Sequence, residues 1–172
     1  MLLFPILLLI IIICLIKINK NKEKFSDNEI IFITQFYKPK SEDRYNEIKE
    51  CLKNNLENKY IKEIHLFIDG NDYKDIYKLS KKNNYKINAI KIKKRLTYKD
   101  VFEYSNKNLK NKIIILSNSD IHFDNSLSKI NDYNFNKSFI ALTRINDDNT
   151  YENLKSGCSQ DTWIFKTPIK VI

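Results

Sequence analysis

The chain predicts an α/β sandwich on a mainly parallel sheet. From residue 30 onward, short runs of branched apolar residues alternate with stretches whose apolar residues recur every three or four positions. One run, Ile113–Leu116, contains no polar residue and has no helical period, as expected of a central strand buried on both faces. Strand and helix in repeated succession imply right-handed βαβ crossovers, hence three layers with helices on both faces of the sheet.

Taken in order, Met1–Ile16 is uncharged and almost wholly apolar, and Lys17, Lys20, Lys22 and Lys24 follow it. As a helix it would reach ~24 Å, against about 30 Å of hydrocarbon core. No basic residue precedes the run and no small-residue cleavage site follows it, which argues against a signal peptide. A helix apolar all round at a chain end has little to pack against, which argues against a core helix. The expectation is one transmembrane helix at 1–16, an uncleaved membrane anchor, then a polar basic tether at 17–29 able to touch anionic headgroups. The lysines after the span put the domain on the cytoplasmic side.

Ile30–Thr34 reads as the first strand, ended by Thr34-Gln35-Phe36-Tyr37 and Pro39. Arg44–Asn58 carries Tyr45, Ile48, Leu52 and Leu56 on one helical stripe, with Cys51 beside it. Ile61–Ile68 is the second strand, closed by the turn pair Asp69-Gly70, and Asp72–Asn83 repeats the helical stripe. Tyr85–Ile92 alternates as a third strand. Thr97–Leu109 follows as a helix that Thr97 could cap, with Asp100 approximating a capping box. After the central strand come Ser138–Leu142, a polar loop at 146–157, and Ser159–Phe165. Residues 30–172 thus read as one domain.

Composition narrows the function. The 172 residues carry a net charge of +9, but nearly all the cations are Lys, since only Arg44, Arg95 and Arg144 are Arg. No Arg-rich or aromatic-interleaved basic patch marks a nucleic-acid binder. The 3 Cys lie far apart, which fits neither a disulfide framework nor a zinc site. With only 2 Gly the chain lacks both the phosphate-cradling P-loop and the G-x-G-x-x-G fingerprint, so any bound phosphate must be neutralised by side chains or a metal.

Ligands of open α/β sheets bind at the carboxyl ends of the strands. That edge collects Thr34, Gln35, Asp69, Arg95, Asn118 and Asp120, and Asp161 could join from the following segment. Beyond the central strand, Asp120, His122 and Asp124 alternate with Ile121 and Phe123. In an extended chain the polar three share a face, where they suit a divalent cation or simply face water. Asp69 is equally a turn residue, Asp161 a cap, Arg95 a solvated cation and Trp163 a core anchor. His65, inside a strand, is structural.

Arg95-Leu96-Thr97-Tyr98, Asn118-Ser119-Asp120 with Ile121-His122-Phe123-Asp124, and Ser159-Gln160-Asp161-Thr162-Trp163, in this order, resemble a group of glycosyltransferase-like proteins of the GT-A fold, the nucleotide-diphospho-sugar transferases. The resemblance covers about Ile30 to Pro168. It implies that Asn118-Ser119-Asp120 stands where the family has D-x-D, with Asp120 holding Mn²⁺ or Mg²⁺ on the donor diphosphate. Asn118 in place of the first acid could only hydrogen-bond, so Asp124 or His122 would compensate. It further implies Asp161 as the base that deprotonates the acceptor, Thr34, Gln35, Asp69, Asn118 and Ser119 as contacts to the nucleotide-sugar, and Arg95 near its phosphates. The family's acceptor half needs further sequence, which makes the domain C-terminally truncated or completed by a partner chain. The alternative is an inactive binding or scaffold module of the same fold.

Overall fold

The computed structural model describes residues 29–70, 76, 86–136, 138–145 and 160–170. The expected anchor, the tether up to residue 28, most of the 72–83 helix, the 146–157 loop and Ser159 lie outside the described residues. Among those described, no helix is long and apolar enough to cross a membrane. The single-pass membrane assignment is corrected accordingly: the described chain supplies no span for it.

Six strands form one sheet: β1 (Ile30–Phe36), β2 (Ile61–Asp69), β3 (Ile87–Ile92), β4 (Ile113–Ser117), β5 (Ile140–Leu142) and β6 (Thr162–Lys166), in the order β3-β2-β1-β4-β6-β5. The first four of that order run parallel, while β6 is antiparallel to both β4 and β5. The expected parallel sheet therefore carries an antiparallel margin. The predicted Ser138–Leu142 strand shortens to three residues on that margin.

All five residues of β4 are buried, as its uniform apolar character requires of a strand flanked on both edges and covered on both faces. Period two divides the core. Ile30, Phe32 and Phe36 of β1 pack with Tyr45, Ile48, Leu52 and Leu56 of helix α1 (Glu42–Glu57), and Ile31 and Ile33 pack with Val101 of helix α2 (Tyr98–Asn108). Within 72–83 only Ile76 is described; it is helical and buried in the core cluster on the α1 side of the sheet.

Both helices start where the sequence supplies a cap. Ser41 accepts from the Arg44 amide, with Glu42 and Asp43 in the first turn beside the positive helix end. Thr97 and Asp100 form a complete capping box, closer than the approximation expected. The Asp100 carboxylate is held below its ordinary range, first by the Thr97 side chain, then by the Thr97 backbone and Lys94.

The chain after β4 departs from expectation. It turns at Ser119 and Asp120, runs irregularly to Asp124, and enters a 3₁₀ helix at Asn125–Asp132. No strand forms because α1 takes its backbone groups. The Asn55 side chain donates to the Ile121 carbonyl (2.8 Å) and accepts from the Phe123 amide (3.0 Å), and Asn58 donates to the Phe123 and Asp124 carbonyls (2.8 and 3.2 Å). Phe123 packs edge-on against Phe32, 5.5 Å between centroids.

Candidate functional site

A cleft of about 940 Å³ opens at the carboxyl edge of the parallel strands. It is lined by Gln35 near the end of β1, Tyr37 and Lys38 just past it, Arg44 in the first turn of α1, Asp69 ending β2, Arg95 to Thr97 before α2, Tyr98 and Val101 at the start of α2, Leu116 to Asp120 at and past the end of β4, and Trp163 of β6. Six residues singled out from sequence thus meet there: Gln35, Asp69, Arg95, Asn118, Ser119 and Asp120. A second cavity of about 550 Å³, floored by Phe67, Ile92, Leu96 and Tyr104 between β3 and α2, receives none of them.

The walls are tied together by polar contacts that the sequence alone did not disclose. Gln35 accepts from the Leu96 amide (2.9 Å), fastening the loop that carries Arg95 to the end of β1. Ser117 Oγ donates to the Asp161 carbonyl (2.8 Å) and lies 2.7 Å from Thr162 Oγ1, joining β4 to β6 beneath the cleft. Tyr98 stands edge-on to Trp163 at 4.9 Å, 52% exposed, and burial pushes its phenol above its ordinary value.

Thr34 does not reach the cleft. It belongs to the α1-facing set of β1, is 3% exposed, and donates to the Ser117 carbonyl (2.9 Å), so its role is to join two strands. Asp161 also stays out of the lining. It is 7% exposed, its Oδ1 accepts from Asn118 Nδ2 (3.1 Å), and its Oδ2 is buried with no hydrogen-bond partner among the described residues. Asn118, which does line the cleft, is the side chain that holds Asp161.

Asp120 is engaged. Its Oδ2 accepts from Arg44 at 2.6 Å, and the Asp120 side chain is 7% exposed. Burial works against the Arg44 charge, but hydrogen bonds to Glu47 (2.7 Å) and Asp120 outweigh it and raise the guanidinium above its ordinary value. Sequence reasoning passed over Arg44 as a site residue. Its rarity in a Lys-rich chain, the hint that marked Arg95, would have served equally. Tyr37 and Lys38, directly past the first strand, were also legible.

The expected metal set does not assemble. Asp124 is the N-cap of the 3₁₀ helix, bonded to the Ser126 amide (2.9 Å), and His122 lies against Cys51 Sγ of α1 (3.9 Å). Neither lines the cleft. Among the described residues no group of three or more His, Cys, Asp or Glu could hold a metal ion. The alternation of Asp120, His122 and Asp124 required an extended chain, and the turn at Asp120 removes it. The described residues therefore do not assemble the donor set for a Mn²⁺ or Mg²⁺ of the kind the D-x-D resemblance implied.

No family model matches the chain, and no curated protein matches it. Similar solved structures include 4-diphosphocytidyl-2C-methyl-D-erythritol synthase from Anaerococcus prevotii (15% identity, TM-score 0.49, covering 81% of this chain and 70% of that one). A mannosyltransferase from Pyrobaculum calidifontis in complex with GDP-Man and Mn²⁺ matches at 13% identity and TM-score 0.45, covering 60% of this chain and 30% of that one. The apo glycosyltransferase GlyE of Streptococcus pneumoniae matches at 10% identity and TM-score 0.49, covering 82% and 34%. The chain thus spans about a third of the length of the two glycosyltransferases. At these identities and scores the likeness is one of backbone course, and neither ligand nor chemistry passes from them to this chain.

Proposed function

We propose that the cleft binds a nucleotide-diphospho-sugar and that the domain acts as a glycosyltransferase on an unidentified acceptor. One observation supports this reading above the rest: Lys38, Arg44 and Arg95 converge with Asp69, Asp120 and the rings of Tyr37, Tyr98 and Trp163 in a single cleft at the carboxyl edge of a parallel sheet. Cations there suit a diphosphate in a chain without a glycine cradle. Gln35, Asp69 and the aromatic rings suit the nucleoside and sugar.

In transfer, an acceptor hydroxyl attacks the anomeric carbon. The bond from that carbon to the diphosphate breaks, the electron pair leaves with the nucleoside diphosphate, and the hydroxyl proton passes to a base. Asp161 is the base in this reading, with Asn118 holding one of its oxygens while the other has no hydrogen-bond partner among the described residues. General-base action requires hydrogen-bond reach of the acceptor, so Asn118 must admit the hydroxyl past itself. A second reading, a donor-binding module without transfer, draws on one fact: Asp161 lies outside the lining of the cleft.

The test is saturation-transfer NMR of the full chain with UDP-glucose, UDP-N-acetylglucosamine, GDP-mannose and CDP-linked sugars, followed by assay of nucleoside diphosphate release. One nucleotide class should bind and be displaced by its free diphosphate. Asp161→Asn should slow release by about a hundredfold while leaving binding intact. Binding with release indifferent to Asp161→Asn favours the non-catalytic module, and no binding at all overturns the proposal.

A further inference from the structure

We infer that Arg44 takes the place of the divalent cation at this cleft, so that a nucleoside diphosphate binds through a guanidinium aimed by Asp120 and needs no metal. The inference rests on the donor reading of the cleft and goes beyond it, because it assigns the charge that holds the diphosphate.

The argument starts from the donors available. Mn²⁺ or Mg²⁺ requires several oxygen ligands in near-octahedral order, with at least one carboxylate free to coordinate. Among the described residues that line the cleft, the only carboxylates are Asp69, at the end of β2, and Asp120, just past β4. The position before Asp120 by two residues is Asn118, an amide whose Nδ2 is committed to Asp161. Asp120 itself is nearly buried and already accepts a charge-assisted hydrogen bond from Arg44 at 2.6 Å. A dication placed on that carboxylate would sit against a fixed positive charge, and Arg44 would have to leave first.

The same contact makes Arg44 a competent phosphate ligand. It comes from the first turn of α1, where its own amide donates to the N-cap Ser41. Two of its N–H groups are used, one on Asp120 and one on Glu47, and the remainder belong to a side chain 39% exposed that lines the cleft. A guanidinium so held is a rigid fork that matches two phosphate oxygens, which a lysine cannot do. Arg95 and Lys38, in the same lining, supply further charge. Asp120 is then a positioning residue: it acts on the phosphate only through Arg44.

The experiment is calorimetric titration of the full chain with UDP, GDP, CDP and ADP, and with the matching nucleosides, in EDTA and again with excess Mn²⁺ or Mg²⁺. A diphosphate should bind in EDTA, with affinity unchanged by the metal. Arg44→Gln should weaken the diphosphate by about tenfold or more and leave the nucleoside unaffected, collapsing the ratio between them, and Arg44→Lys should fall between. Asp120→Asn should weaken the diphosphate in EDTA by less than Arg44→Gln does. Diphosphate binding that appears only with metal and vanishes in Asp120→Asn overturns the inference while sustaining the donor cleft. So does an Arg44→Gln protein that retains full affinity in EDTA. Failure of every diphosphate under both conditions overturns the cleft reading as well.

Discussion

The segment that leaves β4 holds two short adjoining stretches of opposite fate. Asn118-Ser119-Asp120, polar throughout, turns into the cleft, and Asp120 meets Arg44 there. Ile121 to Asp124, in which apolar and polar residues alternate, is fastened along α1 by Asn55 and Asn58 and contributes nothing to the lining. The difference teaches that it matters which element claims the backbone past a central strand: the Asn118 amide donates to the Asp161 carbonyl (3.3 Å) beside β6, whereas Ile121 to Asp124 are claimed from α1. The second claim comes from two side-chain amides, Asn55 in the last turn of α1 and Asn58 at its C-cap, 65 to 68 residues away in sequence.

The comparison can be broken most forcefully at Asn55, 1% exposed and bonded to both Ile121 and Phe123. Asn55→Ala leaves a carbonyl and an amide without partners and should cost about 2–3 kcal/mol in urea denaturation. A loss within experimental scatter would mean that α1 does not hold this segment.

Exchange of the two carboxylates sharpens the contrast. Asp124→Ala removes an N-cap and should cost about 1 kcal/mol of stability with nucleotide affinity unchanged. Asp120→Ala should act on binding, and in a double-mutant cycle with Arg44→Gln the two changes should be non-additive by about 1 kcal/mol. Equal effects of both alanines on affinity would erase the distinction between the two stretches.

The smallest effect concerns pH. Hydrogen bonds from Ser126 hold the Asp124 carboxylate below its ordinary range. A folded-state value below the unfolded one contributes stability that is complete above the unfolded value and is lost as pH falls through the folded one. The stability advantage of the wild type over Asp124→Asn should therefore hold near neutrality and shrink below about pH 4. A difference in urea midpoint that stays constant with pH would exclude this role for the cap.

Much of this was legible in the residues themselves. The fully buried β4 announced itself because a run of branched apolar residues has no face to give to water, and the α1 stripe because its apolar residues recur at the helical period. The carboxyl-edge gathering of Gln35, Asp69, Arg95, Asn118, Ser119 and Asp120 followed from parallel topology, which turns strand order into proximity. Periodicity failed where long-range hydrogen bonds overrode it, at Ile121 to Asp124 and at the antiparallel β5 and β6.

By itself, then, the sequence determined the strands β1 to β4 and the helices α1 and α2, and that a phosphate-binding glycine loop is absent, since both depend on local pattern. Only the tertiary structure decided that Asp120 pairs with Arg44, that Asp124 caps a helix, and that Asp161 is buried behind Asn118. Those outcomes depend on which distant donor reaches a carboxylate first, and chain spacing carries no record of that.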